Sequence, residues 1–362
     1  MGKIIDLTSE VLRVPTGKHI TDSIHSTDII EFVTCKILTD TGMEGIGFTY
    51  TIGNGGYSIK AFIDHYIREA LIGDDYGNIT EIWNKLWWIT QPVGRGGITT
   101  HVIAAIDIAL WDLKGKEVGK PLQWLLGGSS KPVKLYETNS GWLHYSQDEL
   151  VESAKNVIKT GFYGFKIKLG KKNPEEDISR IKAVMDVTAG KIALMTDVNQ
   201  AWSYNYALRM SRIMEKMGVY WIEEPFPADD IVSYKKLSRH SGIPVASGET
   251  IFTKYEFQKY LDSGSISISQ HDVCRVGGIT EWMQISSLCA SNNVMVSPHF
   301  VMQLHAPLVS SISNGMYVEY IPWMENIFED QPHVENGLIY PSNKPGIGLR
   351  FNEKFLEANR IS

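Results

Sequence analysis

Cysteine is scarce in this chain: Cys35, Cys274 and Cys289 are the three among 362 residues. They are too few and too scattered for a disulfide framework or a zinc site. The pattern fits a reducing compartment, so a cytoplasmic protein is expected. Basic clusters are also missing. Lys and Arg number 35 against 41 Asp and Glu, for a net charge of −6. That balance offers no footprint for nucleic acid, and none is expected as a partner. Long apolar runs are absent too. The longest, His101 to Leu113, is broken by Asp107 and Asp112, which excludes a membrane span there. The segment Met1 to Asp6 lacks the apolar core of a signal peptide. No low-complexity segment occurs. What remains is ordinary for a globular protein: 43% hydrophobic and 21% charged residues. The length suffices for two domains with a sizeable core.

The chain changes rhythm at Gly127-Gly128. Before it, residues 4–50 read as β-rich, with Phe32 to Leu38 a strand and Asp40 to Gly45 a turn. Residues 57–119 read as helical; apolar residues recur at helical spacing from Ile98 to Glu117 and stop at Gly119, ahead of Pro121. After the break, strand and helix alternate. The expected strands are 133–138, 164–168, 192–197, 219–223, 244–248, 266–271, 294–298 and 316–320. Alternation implies a parallel sheet, and eight such strands imply a closed α/β barrel. The expected division is a cap over 1–128, a barrel over 129–327, and a tail over 328–362 that returns to the cap.

Three acids sit at a matched step. Asp197, Glu223 and Glu249 are 26 residues apart, and each closes a short apolar run. About 25 residues is one strand–helix unit of a parallel barrel, which runs to roughly 250 residues for eight. Carboxylates at three successive C-terminal strand ends would converge, and hard oxygen ligands suit Mg2+. Other strand ends add to this. Side chains alternate along a strand, so Lys166 and Lys168 share a direction. If both point inward, each ammonium depresses the pKa of the other while the acids oppose the shift. A lysine so tuned can act as a base. Asp272 and His299 fall on adjacent strands, and an Asp–His pair fixes the imidazole tautomer. Glu319 adds one more acid at the rim. Together these groups suit removal of a proton next to a carboxylate.

Several other groups have plainer readings. Val93 to Gly97 reads as a helix start, from which Arg95 could still approach the site. His271 should point away from Asp272 and pack, and His305 reads as helical scaffold. The Trp83, Trp87, Trp88 stripe is expected in the core. In the cap loops, His19, Asp22, His25, Tyr50 and Asn54 are polar enough to meet a polyol.

The motifs Lys166-Ile-Lys168, Asp197-Val-Asn-Gln200, Trp221-Ile-Glu-Glu-Pro225, Ser247-Gly-Glu249 and Arg275-Val-Gly-Gly278, with Asp272, His299 and Glu319, carry a family resemblance. Over essentially its full length the chain resembles the enolase superfamily, mandelate racemase subgroup. The resemblance implies an α+β capping domain on a modified (β/α)7β barrel. It implies Asp197, Glu223 and Glu249 as Mg2+ ligands, and Lys168 as a base tuned by Lys166, which also contacts the substrate carboxylate. It implies His299 with Asp272 as the acid or base on the other face, Glu319 as a hydrogen-bond partner of the enediolate, and Asn199 as support for the metal site. Members with this His–Asp pair are mostly acid-sugar dehydratases, which give 2-keto-3-deoxy acids. Segments Phe48 to Gly56, Val93 to Gly97 and Thr138 to His144, the last containing Asn139, resemble galactarate/talarate dehydratases. Tyr50 to Lys60 and the Arg95 segment also resemble the 3,6-anhydro-L-galactonate cycloisomerases. The resemblance implies a small sugar-acid substrate and a homo-oligomer.

Overall fold

The computed structural model describes residues 2–361. Strands β1 (Ile4–Thr21), β2 (Ser26–Thr39) and β3 (Glu44–Thr51) form an antiparallel sheet in that order. The long helix Ile98–Val118 packs on β3. Contact is close because Gly45 and Gly47 lack side chains: a Cβ at Gly47 would lie 1.9 Å from the Ala105 carbonyl oxygen. This helix has almost no polar face, so both sides must be covered. One side meets the sheet. On the other, Asp107 accepts bonds from the backbone N–H (2.9 Å) and hydroxyl (2.5 Å) of Thr280 in the barrel. Asp112 accepts from the Ile46 and Ile347 N–H groups and pairs with Lys116. The two acids that interrupt the apolar run therefore bind the cap to the barrel and the tail.

The barrel strands are β4 (Val133–Glu137), β5 (Gly164–Lys168), β6 (Ala193–Asp197), β7 (Trp221–Glu223), β8 (Val245–Ser247), β9 (Ile268–Ser269), β10 (Met295–Val296) and β11 (Tyr317–Tyr320). Neighbours from β4 to β10 pair in parallel. β11 pairs in parallel with β4, and a Val296–Gly315 bridge joins it to β10, so the sheet closes. The expected parallel barrel with an α+β cap is the observed fold. Tyr136, Met195, Trp221, Ala246 and Ile268 fill its interior, while Phe165 and Ile167 belong to the outer core. Helices on the outside start at sequence-legible caps. Ser146 with Glu149 and Thr253 with Glu256 each form a reciprocal capping box.

Two expectations need correction. The tail, whose Pro, Asn and Gly content reads as irregular turns, carries strands: β12 (His333–Glu335) and β13 (Leu338–Tyr340) form a hairpin whose second strand pairs antiparallel with β4. The rest does reach the cap, where Phe328 and Phe351 stack together and meet Phe32. The Trp stripe is not all core. Trp83 and Trp87, one helical turn apart, stack at 5.6 Å, but Trp88 falls on the other face and is 69% exposed.

Candidate active site

The C-terminal ends of the barrel strands bring the three acids together. Ligand atoms of Asp197, Glu223 and Glu249 lie within 4.8 Å of one another, and all three residues are buried. Period-2 alternation places them: Trp221 and Glu223 both face inward, and the Trp221 indole N–H donates to Glu223 at 3.1 Å. Lys166 and Lys168 also both face inward. Lys166 Nζ lies 2.6 Å from Glu223, 2.7 Å from Glu319 and 3.5 Å from Asp197. Lys168 Nζ lies 2.6 Å from Asp197.

These contacts bear on the tuning of the lysines. Burial pushes both ammonium groups down, and Lys166 pushes Lys168 down further, but the carboxylates at 2.6 to 2.7 Å win, and both are held above the ordinary lysine range while no cation shares those carboxylates. The acids respond unequally. Burial opposes ionisation of Asp197, yet Lys168 and Lys166 hold it well below the usual range. Glu223 is pushed well above its usual value by burial and by neighbouring Asp197. Three carboxylates this close repel one another and are short of positive charge. That donor set fits a hard divalent cation. Asn199 fits it as well: its N–H donates to Asp197 Oδ1 at 2.9 Å, and its own Oδ1 is buried without a partner among the described residues.

His299 approaches from beyond β10. Its Nδ1 lies 3.0 Å from Asp272 Oδ2 and its Nε2 lies 3.4 Å from Glu249. An ionised carboxylate only accepts, so Nδ1 carries the hydrogen and Nε2 is left toward the cavity. Burial works against the Asp272 charge, but the bond to His299 and the nearby Arg275 keep it ionised. Tyr50 also donates to Asp272 Oδ2, at 2.5 Å. The Tyr50 hydroxyl therefore anchors the Asp–His pair and is not free for a polyol. Glu319 accepts from Thr138 and from the Phe300 N–H, both at 2.7 Å, besides its pair with Lys166. Burial opposes its charge, yet Lys166 prevails and holds it ionised. There it orients Lys166 and accepts hydrogen bonds.

A cavity opens over these groups. Its floor includes Lys168, Glu249, His299 and Glu319; Asn199, Asp22, His25 and Tyr50 also line it. Ile20, Ile52, Trp142, Phe300, Ile321 and Trp323 make the apolar wall. Of the cap residues expected to meet substrate, Asp22, His25 and Tyr50 therefore reach it. His19 does not: it is exposed and bonded to Asp28 and Ser26. Asn54 and Arg95 are exposed and lie outside the lining. Asn139 acts at one remove, its Oδ1 accepting from Trp323 and its carbonyl from Trp142. His271 is buried between Ser269 and Ser286, and burial pushes its pKa down to about 3. His305 bridges Phe300 and the Val273 N–H as scaffold.

Three contributors had no individual role in the sequence reading. Arg275 donates to the Glu249 carbonyl at 2.9 Å, lies near Asp272, and sits 5.5 Å from the Tyr50 ring centroid. Its spacing of three residues from Asp272 was the available signal. Trp142 and Trp323 stack at 5.6 Å to form one wall; their distance in sequence gave no signal.

The site thus consists of carboxylates at three successive barrel strand ends, flanked by an inward lysine and an Asp–His pair. Residues 8–127 match the mandelate racemase / muconate lactonizing enzyme N-terminal domain, and residues 149–355 match the enolase C-terminal domain-like family. The chain belongs to this family. It is 34% identical to the L-talarate/galactarate dehydratase of Salmonella typhimurium over 90% of this chain and 81% of that protein. It is 32% identical to the 3,6-anhydro-alpha-L-galactonate cycloisomerase of Streptomyces coelicolor over 94% and 95% of the two chains. The Salmonella dehydratase, solved with Mg and L-lyxarohydroxamate, superposes with a TM-score of 0.95 at 30% identity, covering 100% of this chain and 93% of that one.

Proposed function

We propose that this protein is a Mg2+-dependent enzyme that removes the proton next to the carboxylate of a sugar acid and expels the 3-oxygen, giving a 2-keto-3-deoxy acid. The observation that carries the reading is the pair of proton-transfer groups flanking the carboxylate trio: Lys168 beside Asp197, and His299 beside Glu249. Asp197, Glu223 and Glu249 would hold the Mg2+. When bound, it supplies positive charge against the second negative charge that the substrate carboxylate acquires. The other steps belong to the chain. Lys166, buried between Glu223 and Glu319 beneath the cavity, adds positive charge toward a substrate carboxylate. One of Lys168 and His299 takes the C2 proton, and the other gives a proton to the departing oxygen. Asp272 and Tyr50 fix the orientation of His299 for this exchange. The C2–H and C3–O bonds break, a C2=C3 enol forms, and it settles to the ketone.

A second reading uses the same steps. In a 3,6-anhydro acid the expelled oxygen remains tethered at C6, so the ring opens and no water leaves. The apolar cavity wall and the near-equal span shared with the Streptomyces cycloisomerase support it. The test is a panel of sugar acids with Mg2+, read as 2-keto product, with mass distinguishing loss of water from isomerisation. No turnover across the panel would overturn the proposal. Lys168→Ala and His299→Asn should each lower turnover by about 100-fold or more; unchanged turnover in either would overturn its assigned role.

A further inference from the structure

The cavity above the reacting groups is poor in positive charge and poor in free polar partners. Lys168 is the one Lys or Arg in its lining among the described residues, and it belongs to the chemistry below. Arg275 lies behind Tyr50 and is engaged with Glu249 and Asp272. Lys18 is bonded to Tyr145, and Arg95 lies outside. The cationic candidate that remains is His25, and Asp22 already meets it at 3.0 Å. Asp22 is itself an anion in the wall, with its side chain 5% exposed. Its Oδ1 accepts from the N–H groups of Ile24 and His25, which fixes the carboxylate in place. The rest of the upper wall is made of Ile20, Ile52, Trp142, Ile321 and Trp323.

A carboxylate at the far end of a substrate would be desolvated here beside a fixed anion, with no guanidinium or free ammonium to receive it. A chain of free hydroxyls would face aliphatic and indole carbons. Resting on the sugar-acid reading above, we propose that the site selects a monocarboxylate with an uncharged, hydroxyl-poor far end: a deoxy- or anhydro-aldonate, and not an aldarate with two carboxylates. Asp22 is the excluding group and the apolar wall is the accepting one.

Binding to Mg2+-loaded Lys168→Ala protein, followed by calorimetry, separates this inference from the reaction itself, because it reads selection even if no acid is turned over. The probes are 3,6-anhydrogalactonate, a 6-deoxyhexonate, galactonate and galactarate. Expected is binding of the anhydro or deoxy acid about 100-fold tighter than galactarate, with galactonate between them. Galactarate bound as tightly as the anhydro and deoxy acids, or more tightly, overturns the inference. Galactonate bound more tightly than both overturns the role of the apolar wall. Absence of binding by all four also overturns it. In the Asp22→Asn variant the preference against galactarate should shrink by about tenfold, since Asn keeps the Oδ1 acceptor and removes the charge; an unchanged ratio removes Asp22 from the explanation. Turnover of galactarate alone would uphold the dehydratase reading and refute this one.

Discussion

Tyr50→Phe isolates one hydrogen bond that the chemistry depends on. The hydroxyl donates to Asp272 Oδ2 at 2.5 Å and is fully buried. Phenylalanine keeps the ring, which packs edge-on to Phe300 at 4.8 Å. What is lost is a bond to an ionised group, worth about 1.5–3 kcal/mol. Asp272 keeps the Cys274 N–H at 2.8 Å on Oδ1 and His299 on Oδ2. The His299 ring then loses part of the frame that aims it. If the lost bond appears in the transition state, about 1.4 kcal/mol per decade converts it to roughly a ten- to hundredfold fall in kcat. KM should move little, because the lost hydroxyl points at Asp272. The assay is steady-state formation of 2-keto product, with thermal unfolding alongside. A kcat within twofold of wild type, at unchanged stability, would refute the claim that Tyr50 positions the pair. A large KM change with constant kcat would return Tyr50 to a substrate-binding role.

Chelation of Mg2+ should abolish turnover and lower the melting temperature, since saturation at 100 times Kd adds about 2.7 kcal/mol; activity that survives EDTA and dialysis would contradict the metal site. Asp107 gives a pH signature away from the reaction. Burial raises its carboxyl to about 7 in the folded chain, against about 3.9 when unfolded. Between those values the native state holds a proton that the unfolded state has lost. Stability from this group is therefore greatest at low pH and falls as pH rises from about 4 to about 7, by up to ~1.4 kcal/mol per unit. Chemical denaturation of Asp107→Asn should show a flatter profile than wild type across that window, and parallel profiles would refute the assignment. Gly47→Ala drives a Cβ into the Ala105 carbonyl and should cost about 3 kcal/mol; a neutral effect in denaturant titration would show that the helix can shift away.

The site's floor was legible because barrel geometry converts sequence period into position. Asp197, Glu223 and Glu249 recur once per unit, and Lys166 and Lys168 differ by one strand period. Strand lengths were less legible. Residues 266–271 read as a strand, yet β9 is Ile268–Ser269; Gln270 onward turns outward to deliver Asp272. The lysines were legible in direction but not in distance, because spacing does not show that Lys168 lies 2.6 Å from Asp197. The cap residues were the least legible. His19 and His25 are equally polar and six residues apart, but a register shift in β1 and the turn at Asp22 send one outside and one into the cavity. Nothing local encodes that difference.

The helix Ile98–Val118 limits how this enzyme can open. A rotation of the whole cap would pull Asp107 off Thr280, stranding a buried carboxyl group, and would cost Asp112 its bond to the Ile347 N–H. The loop through Asp22 is held to the barrel far more lightly, by the Ser23 hydroxyl on the Leu169 carbonyl and the Leu143 N–H on the Thr21 carbonyl. Of the two attachments, the loop through Asp22 has the fewer buried polar bonds to break. That loop carries the Asp22 charge, so the group that admits or turns away a substrate sits on a different attachment from the groups that break bonds.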